Sequence, residues 1–495
     1  MTLVDLLEHI QYDFVRGTTD KEIYSLEYNS KEVKENSVFF AIDGHVCRGS
    51  MYITDAIKRG ATVIVVNSNL SKIEGIESNV TIIGVKDVRK ALAYMSARFY
   101  NNPSEELQVI GVTGTKGKTS VTFMIRHILE SAGIKTGIIG TVIKGYNDNF
   151  TLADSTTPQA PEIQRLMREM VEAGCKALVM EVSSQGLKHS RVDGINFNIG
   201  VFTNISPDHI GGAEHANFEE YLYCKSLLFD ACDKAVINGD CDLWRHTIEN
   251  KELKRKILFG RREDNDVIYY DCALIRQGEK LGTEFKLKSP EFLSNDIKVS
   301  LELAGYFNAE NAVASIATAR LLGIPQKIIV KSLRDVVIPG RVEIVPIERE
   351  FTAMVDYAHN GMALESLLNS LREYDPSRLV LVMGCGGDRD RNRRFDMGKA
   401  ALKLADYIII TSDNPRTENP QDIIDDITSV MTFCDKVILA IPDRREAIKR
   451  AMKDARKDDI IIVAGKGHET YQIIGNEITW FDDKEVILSC GKEAQ

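Results

Sequence analysis

The sequence predicts an α/β protein of three domains, on three observations. An apolar run at Leu107–Val112 passes through the glycine-rich turn Gly114-Thr115-Lys116-Gly117-Lys118-Thr119 into a stretch from Ser120 to Gly133. There Val121, Phe123, Met124, Ile125, Ile128 and Leu129 recur at helical spacing. Short apolar runs alternate with helical stretches along most of the chain, the signature of parallel sheets with crossover helices. The length of 495 residues suggests roughly three domains. Proline-containing breaks at Asn102-Pro103-Ser104 and Ile338-Pro339-Gly340-Arg341 divide them at residues 1–102, 103–338 and 339–495.

In the first of these, strands are expected at Val38–Phe40, Val63–Val66 and Thr81–Ile83, with helices at Tyr52–Arg59 and Val88–Phe99. The second is built around the strand, loop and helix at 107–133. Backbone amides and a helix N-terminus favour phosphate there, and glycine lets the main chain approach it. The Lys118 ammonium can neutralise the phosphate, and the Thr119 hydroxyl can reach Mg²⁺. Three further segments fall at the carboxyl ends of expected strands, where ligands of such sheets collect. They are Asp154–Pro158, Glu181–Leu187 with Arg191 downstream, and Ser206-Pro207-Asp208-His209. Glu181, a carboxylate closing the apolar run Ala177–Val182, is placed for Mg²⁺, which prefers oxygen ligands. In the third domain strands are expected near Met354–Val355, Leu379–Met383, Tyr407–Thr411, Lys436–Ala440 and Ile460–Val463.

Composition narrows the function. A hydrophobic fraction of 44% with 27% charged residues is ordinary for a soluble globular protein. The net charge of -10 argues against a nucleic-acid binder with a wide basic face. No apolar run approaches the ~18 residues of a membrane span, and the amino terminus, with Asp5, Glu8 and Asp13, lacks the layout of a secretory signal. Nine cysteines without a C-x-x-C pair fit reduced thiols in a cytoplasmic protein; Cys385 reads as a small residue in a tight glycine-rich turn.

The loop has five residues rather than four between Gly111 and Gly117, and its spelling G-x-T-G-T-x-G-K-T resembles the Mur ligases and their folylpolyglutamate synthetase relatives. These ATP-dependent enzymes join an amino acid to a carboxylate. Lys116 stands where Asn is usual. Further motifs follow in the family's order over nearly the whole chain. They are Asn29-Ser30-Lys31 with Phe39-Phe40-Ala41 and Gly44, Thr156-Thr157-Pro158, Asp208-His209, and Gly305-Tyr306-Phe307-Asn308. After these come Asp356-Tyr357-Ala358-His359, Gly384–Asp390, Asp413-Asn414-Pro415-Arg416 and Gly465-Lys466-Gly467-His468-Glu469. Gln185 and Gly211 depart from the frequent His and Asp, and Asn360-Gly361 from Thr-Pro.

The resemblance implies a small UDP-binding domain, a central phosphate-loop ATPase domain and a Rossmann-like carboxy-terminal domain. It implies that ATP meets Gly114, Thr115, Lys116, Gly117, Lys118, Thr119, Asn308, Arg341, Asp356 and His359. The UDP-linked substrate would meet Ser30, Thr156, Thr157, Ser183, His189 and Arg191, and the incoming amino acid Arg389, Asp413, Asn414, Pro415, Arg416, Gly465 and Glu469. Mg²⁺ ligands would be Thr119, Glu181, His209 and Lys225, the lysine having reacted with CO₂ to become a carbamate; Lys118, Lys225, His209 and Arg341 would be the catalytic set.

The amino-terminal motifs point to the members that add the third residue of the peptidoglycan stem peptide. The expected substrates are UDP-N-acetylmuramoyl-L-alanyl-D-glutamate and meso-diaminopimelate, used by a monomer that binds neither nucleic acid nor membrane. Two alternatives stand beside this: L-lysine as the added residue, which Ser206–Gly211 also resembles, and a folylpolyglutamate-type ligase, in which the uridine-binding domain would be absent. A nucleotide switch of the GTPase type is not supported, since no N-K-x-D guanine motif occurs.

Overall fold

The computed structural model describes all residues except 45–46, 71–77, 208–209, 212–213, 293–294, 432–435 and 494–495. It falls into two compact units, Met1–Asn265 with Ala317–Ile324, and Asp266–Ile316 with Pro325–Gln495.

The first unit opens with strands β1 (Phe14–Arg16), β2 (Ser25–Glu27), β3 (Ser37–Phe40), β4 (Ala61–Asn67) and β5 (Thr81–Val85). They form a five-stranded sheet ordered β1-β5-β4-β3-β2. The pairs from β2 to β5 are parallel, and β1 is added antiparallel. The helix Val88–Phe99 has the expected limits: the Asp87 carboxylate caps it by accepting from the amides of Arg89 at 2.9 Å and Lys90 at 3.0 Å. Its Val88, Leu92 and Met95 pack on Val38, Phe40 and Val63.

The next sheet is built around β6 (Gln108–Thr113). Its further strands are β7 (Thr136–Ile139), β8 (Ile143–Tyr146), β9 (Asn149–Leu152), β10 (Ala177–Glu181), β11 (Phe197–Phe202), β12 (Cys232–Asn238) and β13 (Arg255–Gly260). Within this unit the order is β13-β12-β11-β6-β10-β7-β8-β9. Strands β7 and β10 to β13 run parallel with β6, and β8 and β9 follow as antiparallel ribbons. Because β10 and β11 flank β6 in parallel, the loops after all three strands emerge at one sheet end.

The second unit begins with the antiparallel strands β14 (Val267–Gln277), β15 (Lys280–Lys288) and β16 (Ile297–Leu301). Strands β17 (Glu343–Val345), β18 (Thr352–Asp356), β19 (Leu379–Met383), β20 (Tyr407–Ile410), β21 (Val437–Ala440) and β22 (Ile460–Ala464) make a six-stranded sheet ordered β17-β18-β22-β19-β20-β21. It is parallel apart from β17. A hairpin of β23 (Tyr471–Ile474) and β24 (Glu477–Trp480) completes the strands.

The compact unit takes in chain on both sides of the break expected at Ile338. Leu281 and Ala304 join the core formed by Met354, Leu368 and Met383. The Tyr374 hydroxyl donates to the Gly282 carbonyl at 2.8 Å and accepts from the Gly305 amide at 2.9 Å. Among the described residues no helix is long and apolar enough to cross a membrane.

Candidate active site

In the first unit, β6 hands the chain to the helix Lys118–Ser131 through a loop whose Gly114 (φ 150°) and Gly117 (φ 84°) occupy backbone regions that favour glycine. A Cβ at Gly114 would stand 2.0 Å from Thr203 Oγ1, so a side chain there would force the loop off β11's end. The loop is clamped through its backbone. Thr115 and Lys116 donate their amides to the Asn204 carbonyl and side-chain oxygen, each at 2.9 Å. The Lys116 carbonyl accepts from Thr203 Oγ1 at 2.6 Å and Asn204 Nδ2 at 3.2 Å. Lys116's side chain is exposed, so the departure from Asn leaves the clamp intact.

Lys118 curls over the loop, its Nζ donating to the carbonyls of Gly114 at 2.9 Å and Thr115 at 3.1 Å. Lys225, buried on the helix Phe218–Ser226, brings a second ammonium to the same Gly114 carbonyl at 2.8 Å and lies 4.5 Å from the Tyr221 ring centroid. The Tyr221 hydroxyl is 3.0 Å from Thr115 Oγ1.

Glu181 closes β10 and is buried beside the loop. Its carboxylate accepts from Thr119 Oγ1 at 3.1 Å, the Thr141 amide at 2.8 Å and Thr141 Oγ1 at 3.0 Å. One carboxylate and two hydroxyls make an all-oxygen donor set, and the residues present therefore suit Mg²⁺. His209, expected to complete such a set, lies outside the described residues.

The expected UDP-substrate residues are held by local bonds. Thr156 Oγ1 is 3.0 Å from Thr141 Oγ1, and Thr157 Oγ1 donates to the Glu181 carbonyl at 2.9 Å and accepts from the Ser183 amide at 3.0 Å. Ser183 Oγ caps the helix Ser184–Lys188, accepting from Gly186 at 3.0 Å. Arg191 Nη1 donates to the Thr157 carbonyl at 2.8 Å, while its Nε is buried without a hydrogen bond. Ser30 is buried in a short 3-10 turn capped by Asn29, and His189 is half-buried. Gln185, in place of the frequent His, donates to the Glu214 carbonyl at 2.8 Å.

A second cluster gathers at the carboxyl ends of β18, β19, β20 and β22. Asp356 closes β18; its carboxylate accepts from the amides of Val342 at 2.8 Å and Ala358 at 2.7 Å, and burial pushes its pKa up. The Arg341 guanidinium lies 4.8 Å from the Tyr357 ring centroid, and its Nε is buried without a hydrogen bond. His359 and His468 pack against the same ring, with centroids 4.8 and 5.1 Å away.

Burial, reinforced by Arg341, holds His468 down to about 4 from an ordinary 6.5, so the folded protein keeps it neutral while the unfolded chain takes up a proton. Stability contributed by this depressed pKa is present above about pH 6.5 and is lost as pH falls toward 4. Urea titrations of wild type and His468→Phe should show the wild type losing more stability across that window; equal losses would contradict the assignment.

Asn414 is the centre of the loops expected to meet the amino acid. Its Nδ2 donates to Glu469 Oε2 at 2.9 Å, and its Oδ1 accepts from Lys466 Nζ at 3.1 Å and the Ile473 amide at 3.0 Å. The buried Lys466 ammonium also stands 3.4 Å from Glu469 and 3.7 Å from Asp413. Burial pushes Glu469 up, and Lys466 opposes that shift. Gly465 (φ 115°) lies so close to Asp413 that a Cβ would meet its Oδ2 at 2.6 Å.

Pro415 is buried; Arg416, half-buried with φ 51°, donates Nη1 to the Gly387 carbonyl at 2.7 Å. Arg389 is exposed on the neighbouring loop. Asn308 is buried in the first turn of the helix Tyr306–Leu321, with its amide engaged by Ala304 at 2.9 Å and Asn311 at 3.2 Å. Cys385 is buried with its thiol pushed up to about 12, an unreactive thiol.

Sequence reasoning missed the support beneath this cluster. Arg444 and Asp483, fully buried, form a fork with both contacts at 2.7 Å. Arg444 also donates to the carbonyls of Ser412 at 3.3 Å and Ala464 at 3.0 Å, the residues that lead into the loops 413–416 and 465–469. Arg444→Met should cost about 3–5 kcal/mol by leaving Asp483 charged and unpaired. Chemical denaturation checks this; a loss below about 1 kcal/mol would show that water reaches the pair.

A phosphate loop at a strand-to-helix turn with an all-oxygen donor set beside it is the arrangement of a nucleotide-dependent enzyme. Comparison with known proteins agrees. The descriptions "Mur ligase family, catalytic domain", "Mur ligase middle domain" and "Mur ligase, glutamate ligase domain" match residues 22–100, 112–319 and 340–467. A Clostridium tetani protein named UDP-N-acetylmuramoyl-L-alanyl-D-glutamate--2,6-diaminopimelate ligase is 40% identical over 491 residues, 98% of both chains. The protein of the same name from Caldanaerobacter subterraneus subsp. tengcongensis is 40% identical over 497 residues, 100% of both. A solved structure titled for the same ligase superposes with TM-score 0.71 at 29% identity, covering 100% of this chain and 99% of that one. This chain belongs to the Mur ligase family, ATP-dependent enzymes that form amide bonds.

Proposed function

We propose that this protein adds meso-diaminopimelate to UDP-N-acetylmuramoyl-L-alanyl-D-glutamate at the expense of ATP, in the synthesis of peptidoglycan precursors. The observation that carries the reading is 40% identity, end to end, to relatives named for that reaction. The match of residues 22–100 supports it over a folylpolyglutamate-type ligase, whose resemblance should not include that stretch. Residues 1–102 would hold the UDP moiety, 103–338 ATP, and 339–495 the incoming amino acid.

The free side-chain carboxylate of the D-glutamate attacks the γ-phosphorus of ATP, and ADP leaves. The amine of the diamino acid then attacks the acyl phosphate; phosphate departs and the nitrogen gives up a proton. Lys118 and Arg341 spread the charge of the transferring phosphoryl group, and most of the rate enhancement is positioning and electrostatics. Thr119, Glu181, His209 and Lys225, the last as a carbamate, would hold Mg²⁺, which when bound neutralises phosphate charge. Ser30, Thr156, Thr157, Ser183, His189 and Arg191 would orient the UDP-linked dipeptide.

Selectivity among amino acids falls to the loops around Asn414. meso-Diaminopimelate carries a carboxylate beside its distal amine that L-lysine lacks, and the Arg416 guanidinium suits it bidentately. Losing such a pair costs about 2–5 kcal/mol, so Arg416→Ala should lower kcat/KM for diaminopimelate roughly 30-fold or more while ATP affinity holds. ATP-dependent phosphate release, measured with the UDP-linked dipeptide and each amino acid in turn, tests both statements. A wild-type preference for L-lysine would make lysine the substrate, and an unchanged ratio in Arg416→Ala would remove Arg416 from recognition.

A further inference from the structure

Beside the phosphate loop, and formed by residues without a role in the reaction above, lies a cluster of a different chemistry. His215, Glu220 and Cys224 bring one ligand atom each to within 4.8 Å of one another. Glu220 and Cys224 stand one turn apart on the helix Phe218–Ser226 and so share a face, and His215 reaches them from the chain just before it.

The histidine is the telling member. Its side chain is wholly enclosed, and its Nε2 is engaged by Ser184 Oγ at 2.9 Å, with Gln185 Nε2 at 3.3 Å. Its Nδ1 is buried without a hydrogen bond and stands 3.9 Å from Glu220 Oε2. A buried ring nitrogen is rarely left bare. A ring fixed through one nitrogen with the other exposed toward acidic or thiol groups is the way metal-ligating histidines are held.

Lys188 pairs with Glu220 Oε1 at 2.8 Å and leaves Oε2, which accepts the Ala216 amide at 2.7 Å, turned toward His215. Cys224 is a free, buried thiol.

We propose that His215 Nδ1, Glu220 Oε2 and Cys224 Sγ form a binding site for a borderline divalent cation of the zinc type. Nitrogen and sulfur ligands select such an ion over Mg²⁺, which takes oxygen, and this separates the site from the Thr119–Glu181 set. Zinc bonds of about 2.0–2.3 Å place tetrahedral ligands roughly 3.3–3.8 Å apart, so the three atoms draw together by about an ångström. On binding, the Cys224 S–H bond breaks, the Zn–S bond forms and the proton leaves to solvent. Three protein ligands leave a fourth position for water. An ion there ties His215 to the helix that carries Lys225, one residue beyond Cys224.

The test uses the full-length protein in excess Mg²⁺, titrated with Co²⁺ as a spectroscopic stand-in for zinc. The expected result is a thiolate-to-cobalt charge-transfer band in the near ultraviolet, saturating at one equivalent and erased by one equivalent of Zn²⁺. Cys224→Ser should abolish the band, and Ser184→Ala, which keeps all three ligands but frees the ring, should weaken zinc binding about 10–100-fold. Should Cys224→Ser fail to fold by circular dichroism, His215→Gln replaces it with the same expectation. No band in the wild type, a band that survives both ligand variants, or unchanged affinity in Ser184→Ala would each overturn the site.

Discussion

Lys118→Ala should give a folded protein whose ligation is slowed about a thousandfold or more. In this structure the lysine donates to the carbonyls of Gly114 and Thr115, both within its own loop. The buried face of the helix Lys118–Ser131, made by Val121, Met124, Ile125 and Ile128, does not include the lysine and is kept on truncation. The loss falls on the transferring phosphoryl group, where a fixed donor is worth about 10²–10³ in rate and a full charge more. Steady-state phosphate release with circular dichroism as the folding control measures it. Turnover within tenfold of wild type in a folded variant would remove Lys118 from the phosphate site.

Lys225→Ala should show a loss nearly as large and of a different character. A carbamate at this position would turn a cation into an oxygen ligand for Mg²⁺. Activity of the wild type should therefore depend on bicarbonate, and the alanine variant should regain part of its activity from added formate or acetate, which can place a carboxylate in the space left behind. A ¹³C-labelled carbamate signal during turnover is the direct observation. An unmodified lysine in turning-over enzyme would refute the carbamate and leave Lys225 as the buried ammonium that binds the Gly114 carbonyl.

Legibility in the sequence tracked how local each signal was. Leu379–Met383 was readable to the residue because a parallel strand buried on both faces is a continuous apolar run. Val88–Phe99 was readable because Asp87 caps it and its apolar residues repeat at helical spacing. Strands β8 and β9 gave no such signal, since Lys144, Asn149 and Thr151 interrupt them. In β14 the register shifts between Tyr270 and Ala273, at Asp271 with φ 49°, which breaks the alternation that marks an antiparallel strand.

The candidate site divides in the same way. The loop 114–119, Glu181 and Asp413–Arg416 carry spellings confined to a few residues. Arg444 and Asp483 are 39 residues apart and sit on two ordinary amphipathic helices, so nothing local announces that they meet. Lys466 was legible as part of a motif, yet its place between Asp413, Asn414 and Glu469 is a property of the folded loops.

The clamp on the phosphate loop bears on how this sequence can drift. Asn204 grips residue 116 through its amide and carbonyl, so side-chain identity at 116 is released from selection for loop shape, and the constraint passes to residue 204 at the end of the adjacent strand. A saturation library should accordingly accept many residues at 116 and few at 204. The memory of the loop's form is kept by a neighbour that the phosphate motif, as ordinarily spelled, does not include.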